Sequence, residues 1–158
     1  MLKTIKTILI IYLLALFSVT ILPRLSIYGF LPSLILIVSL VHVFNHNLKT
    51  GLINVTIGVL FLDFFGLFPP YNILIAVGLI LLSWFLLTKF FEISNAYIFI
   101  GFCFLICFLY NLILFHNLSY LFVIHYFFDA VYSVICGLII YKIFLRYNKP
   151  IYSLDLSE

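Results

Sequence analysis

Six apolar runs, each closed by a proline, a basic residue or a short polar turn, take up nearly all of this 158-residue chain. A helix needs about 20 mostly apolar residues to cross the roughly 30 Å hydrocarbon core of a bilayer. The runs fall at about 4–22, 32–45, 51–67, 71–90, 96–115 and 120–144. Their length and number predict an all-α integral membrane protein, a bundle of about six transmembrane helices. A water-soluble fold is excluded by simple coverage. Two thirds of the residues are hydrophobic, and eight basic plus five acidic side chains cannot coat that much Phe, Leu and Ile.

The boundaries follow from local chemistry. Pro23 and Arg24 stop the first run, and Pro32 stands at a favourable first helical position for the short second one. Pro69 and Pro70 end the third. Ser94 and Asn95 offer caps to the fifth, and His116 to Ser119 form the turn into the sixth. Lys3 and Lys6 ahead of an apolar run resemble a secretion signal, but Val19 to Pro23 contain no small-x-small cleavage site. That run is expected to stay as the first helix. Residues 145–158 form a short polar tail, so 1–158 is expected to be a single transmembrane domain.

Laid out as alternating crossings, Lys3, Lys6, Lys49, Lys89, Lys142, Arg146 and Lys149 collect on one side, and Arg24 alone on the other. Basic residues favour the cytoplasmic side, so both the N and C termini are expected there. The net charge of +3 is scattered and not interleaved with aromatics. This implies a lipid bilayer as partner and no nucleic acid. Cys103, Cys107 and Cys136 lie inside apolar runs and read as small hydrophobes, not as metal ligands or disulfides.

Ionisable residues inside a membrane are costly, so function is sought there first. Asp63 in the third run and Asp129 in the sixth both fall nearer the outer end. An aspartate at a helix centre costs about 2.5 to 3.5 kcal/mol on insertion scales, against a gain of about 0.3 to 0.6 for each Leu, Ile, Phe or Val. The third run therefore inserts with a thin margin and is expected to face its own bundle. Thr56 and Asp63 share one side of it, while Gly51, Asn54 and Gly58 form a separate small, polar face. In the sixth run His125, Asp129, Tyr132 and Cys136 recur at helical spacing. His125 can reach Asp129, either as a local hydrogen bond or as part of a proton relay or ligand contact. Ser39, His42 and His46 make a similar stripe in the second run, expected to serve interfacial hydrogen bonding and not metal. Cys103, Cys107 and Asn111 share a face of the fifth that is expected to pack on a neighbour.

No zinc-protease, serine-nucleophile or phosphate-loop motif is present in the sequence, and no catalytic residue, metal or cofactor is expected. Asp63 and Asp129 as an aspartyl dyad of an intramembrane peptidase form an outside alternative. The Asn and Arg motifs of lipoprotein signal peptidases are missing around them.

The stretch from Gly29 to Asn72 resembles the bacterial rod shape-determining protein MreD family. Gly29-Phe30-Leu31-Pro32 is similar to the Gly and Pro that open the family's second helix. Gly58 to Gly66, with Leu62-Asp63 before the glycine, is similar to its third helix, and Asn72 stands where the family often has Asn. Pro69-Pro70-Tyr71 replaces the usual glycine-rich turn. The resemblance implies a non-catalytic scaffold of the peptidoglycan elongation machinery in the bacterial inner membrane. It would bind an MreC-like protein and, indirectly, MreB and the wall-synthesis enzymes. Asp63, Asp129, His125, Asn54, Gly58, Gly66 and Asn72 would order the bundle or meet the partner. The alternative is a substrate-binding S subunit of an energy-coupling-factor vitamin transporter, whose six-helix fold is of similar size.

Overall fold

The computed structural model describes residues 2–24, 32–64, 71–90, 96–115 and 119–147. These form six α-helices and no strands: α1 (Leu2–Thr20), α2 (Leu34–Phe44), α3 (Leu48–Phe64), α4 (Asn72–Phe90), α5 (Ala96–Phe115) and α6 (Tyr120–Tyr147), with a short 3-10 turn at Leu22–Arg24. Three of them, α4, α5 and α6, are long and apolar enough to cross a membrane. Their outward surface is greasy, with Leu74, Tyr97 and Leu121 exposed by 74%, 81% and 76%. Apolar area on that scale needs lipid, not water, as its cover. Exposed aromatics mark both ends: Tyr71 just before α4 and Phe90 at its end, Tyr97 and Phe115 on α5. At 1.5 Å per residue each pair is about 27 to 29 Å apart, close to the thickness of a hydrocarbon core.

Helices that follow one another in the chain run in opposite directions. Gly51 and Gly58 on α3 meet Val43 and Ile35 on α2, so that pair is antiparallel. Phe99 stacks on Tyr141 and Phe115 on Tyr126, which makes α5 and α6 antiparallel as well. In consequence Lys49 at the start of α3, Lys89 at the end of α4 and Lys142 near the end of α6 lie at one end of the bundle. Asp63 and Asp129 lie towards the other.

The centre of the bundle is α2. It touches every other α-helix, while its neighbours meet one another in the order α1, α3, α4, α5, α6. All of its 11 residues except Val38 and His42 are buried. Glycine permits the closest of these approaches: a Cβ at Gly58 would sit 2.6 Å from Ile35 Cγ2, and one at Gly51 would sit 3.0 Å from the Ser39 carbonyl oxygen. Gly137 lets α6 approach in the same way, against Cys103 Sγ and Ile37 Cγ2.

Several boundaries differ from the sequence expectation. Pro32 and Ser33 precede α2 instead of opening it, and the Ser33 N–H donates to Ser133 Oγ of α6 at 3.1 Å, a partner 100 residues away. This satisfies a donor that the first turn of a helix leaves free. At its other end α2 stops at Phe44, so His46 drops out of the expected Ser39–His42–His46 stripe. The Asn47 N–H bonds to His42 O and the His46 N–H to Val43 O, with His46 at φ 57, which is a Schellman motif with histidine in the left-handed position. Asn47 then caps α3, its Oδ1 accepting the Thr50 N–H at 3.1 Å, so α3 begins at Leu48 and not at Gly51. Towards the C terminus α6 continues past 144 to Tyr147, since hydropathy marks the membrane edge rather than the end of the helix. The expected stops at Pro69 and Pro70, the caps at Ser94 and Asn95, and residues 65–67 lie outside the described residues.

Asn47→Ala should therefore cost about 1 kcal/mol. The measurement is thermal unfolding in detergent; an unchanged midpoint would show that the turn holds without its cap.

Candidate functional site

The polar groups expected near the outer end assemble into two clusters. The first joins three helices. Asp63, one residue before the end of α3, is half-buried; its Oδ1 accepts from Asn72 Nδ2 at 3.0 Å. Asn72 opens α4 and is fully buried, and its Oδ1 accepts from the Tyr110 hydroxyl of α5 at 2.5 Å. The direction of this chain is fixed by donor and acceptor capacity. An amide nitrogen only donates and an amide oxygen only accepts, so Asn72 turns its nitrogen to the Asp63 carboxyl oxygen and leaves its oxygen for the tyrosine hydroxyl. Both polar ends of the Asn72 side chain are thus engaged away from water.

The second cluster lies on α6. His125 Nδ1 is 3.2 Å from Asp129 Oδ2, one helical turn away, with side-chain exposures of 42% and 12%. Asp129 is buried and His125 half-exposed, so the contact runs from the inward face of α6 to its edge. The buried face of α6 runs beside this stripe, through Tyr126, Asp129, Ser133, Gly137 and Tyr141. Tyr132 and Cys136 sit on its flank, half-buried. The Tyr126 hydroxyl is enclosed without a hydrogen-bond partner among the described residues.

Two other expected positions are structural in setting. Gly58 is buried against Ile35. Asn54 shares the Gly51–Gly58 face of α3, and its Oδ1 is buried with no partner among the described residues. Gly66 lies outside the described residues. Cys103 and Cys107 are fully enclosed and Asn111 nearly so, on the inward face of α5.

The two aspartates occupy helices that do not pack on one another: among the described residues α3 and α6 share no contact, with α2 touching both. A carboxyl dyad that shares a proton needs its groups about 3 Å apart. Here each carboxylate has a partner of its own, Asn72 for Asp63 and His125 for Asp129. Among the described residues no group of three His, Cys, Asp or Glu side chains is placed to hold a metal ion.

Sequence reasoning picked out Asp63, Asn72, His125 and Asp129, but not Tyr110 or Ser133. Tyr110 is one of eleven tyrosines and carries no local signal. Ser133 had one, since it follows Asp129 by four residues on the same helical face. No family model, curated protein or solved structure matches the chain.

Proposed function

We propose that this chain is a non-catalytic scaffold subunit of the bacterial cell-wall elongation machinery, similar to the rod shape-determining protein MreD. It crosses the inner membrane six times, with both termini in the cytoplasm. It binds an MreC-like partner and, through it, MreB filaments and the wall-synthesis enzymes.

The observation that carries this reading is the bond between Asp63 and Asn72. These two residues are part of the resemblance, and here they tie the end of α3 to the start of α4 and onward to α5. An aspartate used as a hydrogen-bond acceptor between helices is suited to ordering a bundle. The gathering of Lys49, Lys89 and Lys142 at one end supports the cytoplasmic placement of that end.

If Asp63 acts only as an acceptor, asparagine keeps the necessary oxygen and leucine does not. In a bacterium whose shape depends on this protein, Asp63→Asn should restore rod form nearly as well as the native chain. Asp63→Leu should fail while still inserting into the membrane. Equal failure of both inserted variants would mean that the charge itself is needed, and the scaffold account would fall.

A further inference from the structure

The bond between Asp63 and Asn72 puts those two residues at one height, and α3 and α4 both run from there to the end of the bundle that carries the lysines. Lys49 stands about 21 Å from that bond along α3, and Lys89 about 26 Å from it along α4. The two lysines therefore lie about one turn apart in height on helices that pack together, and both are exposed. A side chain on a helix leans towards the N terminus of that helix. On α3 this carries Lys49 away from the apolar span, and on α4 it carries Lys89 back towards it. The two ammonium groups approach a common height.

Lys89 shows the lean directly. Its Nζ is 5.3 Å from the ring centroid of Phe85, one turn further into the apolar span, and 5.6 Å from that of Phe90. Both rings are exposed on the outer surface of α4. A lysine at a membrane edge ordinarily extends its charge into water. This one is folded onto aromatic rings that face lipid. Its charge is not met from within the chain. Among the described residues the acidic side chains are Asp63 and Asp129, both towards the opposite end, and neither Lys49 nor Lys89 makes an ion pair. Hydrocarbon tails cannot balance an ammonium group, whereas the phosphate of an anionic lipid at the same depth can.

We infer that the lysine end of α3 and α4 is a docking surface for an anionic phospholipid. Its headgroup phosphate is held by Lys89, with Lys49 on the neighbouring helix adding to the positive field. Its tails run along the exposed side of α4 at Leu81 and Phe85. This depends on the chain lying in a bilayer and not on the scaffold reading.

Trp84, the single tryptophan of the chain, lies just over one turn before Lys89 and is half-buried, so its fluorescence reports on lipid around that end of α4. The full chain is reconstituted in bilayers of dioleoylphosphatidylcholine with a rising fraction of dibrominated phosphatidylglycerol or dibrominated phosphatidylcholine, whose bromines quench tryptophan at close range. Phosphatidylglycerol is expected to compete about three- to tenfold better at low salt, the range for one or two lysines at an anionic surface. The preference should shrink towards unity at about 1 M salt, where charges are screened within roughly 3 Å. Lys89→Gln should remove most of it and Lys49→Gln a smaller part. Lys142→Gln lies on α6, which does not touch α4 among the described residues, and should leave it unchanged. Equal quenching by the two lipids in the native chain overturns the proposal. So does a preference that survives high salt, or one that Lys89→Gln leaves intact. The salt measurement needs no substitution, so it decides the matter even where a variant fails to reconstitute.

Discussion

Asn72→Leu is expected to destabilise the bundle by about 1 to 3 kcal/mol, read as a lower unfolding midpoint in detergent or bicelles. The substitution keeps the number and branching of the side-chain heavy atoms and removes both of the bonds. It leaves the hydroxyl of Tyr110, a residue only 5% exposed, without its acceptor, and Asp63 without its amide donor. Two effects compete in setting the magnitude. Orphaning a buried hydroxyl costs about 1 to 3 kcal/mol in water-soluble proteins. In membranes an interhelical hydrogen bond averages about 0.6 kcal/mol, because the separated helices find other partners. Enclosure of Asn72 and Tyr110 argues for the upper part of the range. A sign reversal isolates the cause. In the native background Tyr110→Phe should destabilise, since it leaves Asn72 Oδ1 bare. In the Asn72→Leu background the same change should be neutral or stabilising, because it removes the orphan. Additive losses would show that the three residues do not act as a chain.

Gly58→Ala should cost about 1 to 3 kcal/mol, although alanine is the better helix former. The added methyl would lie 2.6, 3.1 and 3.2 Å from three carbons of Ile35, a side chain that is itself buried. Relief requires the Ile35 side chain to shift within its packed surroundings or α2 and α3 to separate. Combining it with Ile35→Ala should cost clearly less than the sum of the two single changes, since the space opened by one is filled by the other. Gly78→Ala is the matched control. Its Cβ meets nothing within 4 Å, so only the propensity gain of up to about 1 kcal/mol remains and the sign is opposite. Equal effects at positions 58 and 78 would mean that backbone propensity, not helix contact, decides both.

The number and rough extent of the helical segments could be read from hydropathy, because a hydrocarbon solvent imposes a length on them. The paired role of Gly51 and Gly58 was readable too, since spacing by seven puts both on one face and small residues mark close helix contacts. The central place of α2 was hidden. In water, a helix that is apolar all round is a buried helix. In a bilayer lipid is as apolar as a core, so the sequence Leu34 to Phe44 does not distinguish the middle of the bundle from its rim. Only its shortness hinted at enclosure. The expected histidine stripe failed for a different reason. Its spacing assumed a continuing helix, and the Schellman turn at His46 cut it short. Asn72 came from the resemblance, and its partner Tyr110 could not be told from the other tyrosines.

The distance in sequence between Ser33 and Ser133 has a consequence for biogenesis. As the chain leaves the ribosome, α2 emerges long before α5 and α6, and at about 16 Å it is too short to bridge the hydrocarbon by itself. Its leading end gains the Ser133 hydroxyl only when the last helix has been made. The final helix to be synthesised thus locks one of the first, and loss of α6 by truncation would leave a nascent intermediate with its innermost segment unsheathed, a natural substrate for membrane quality control.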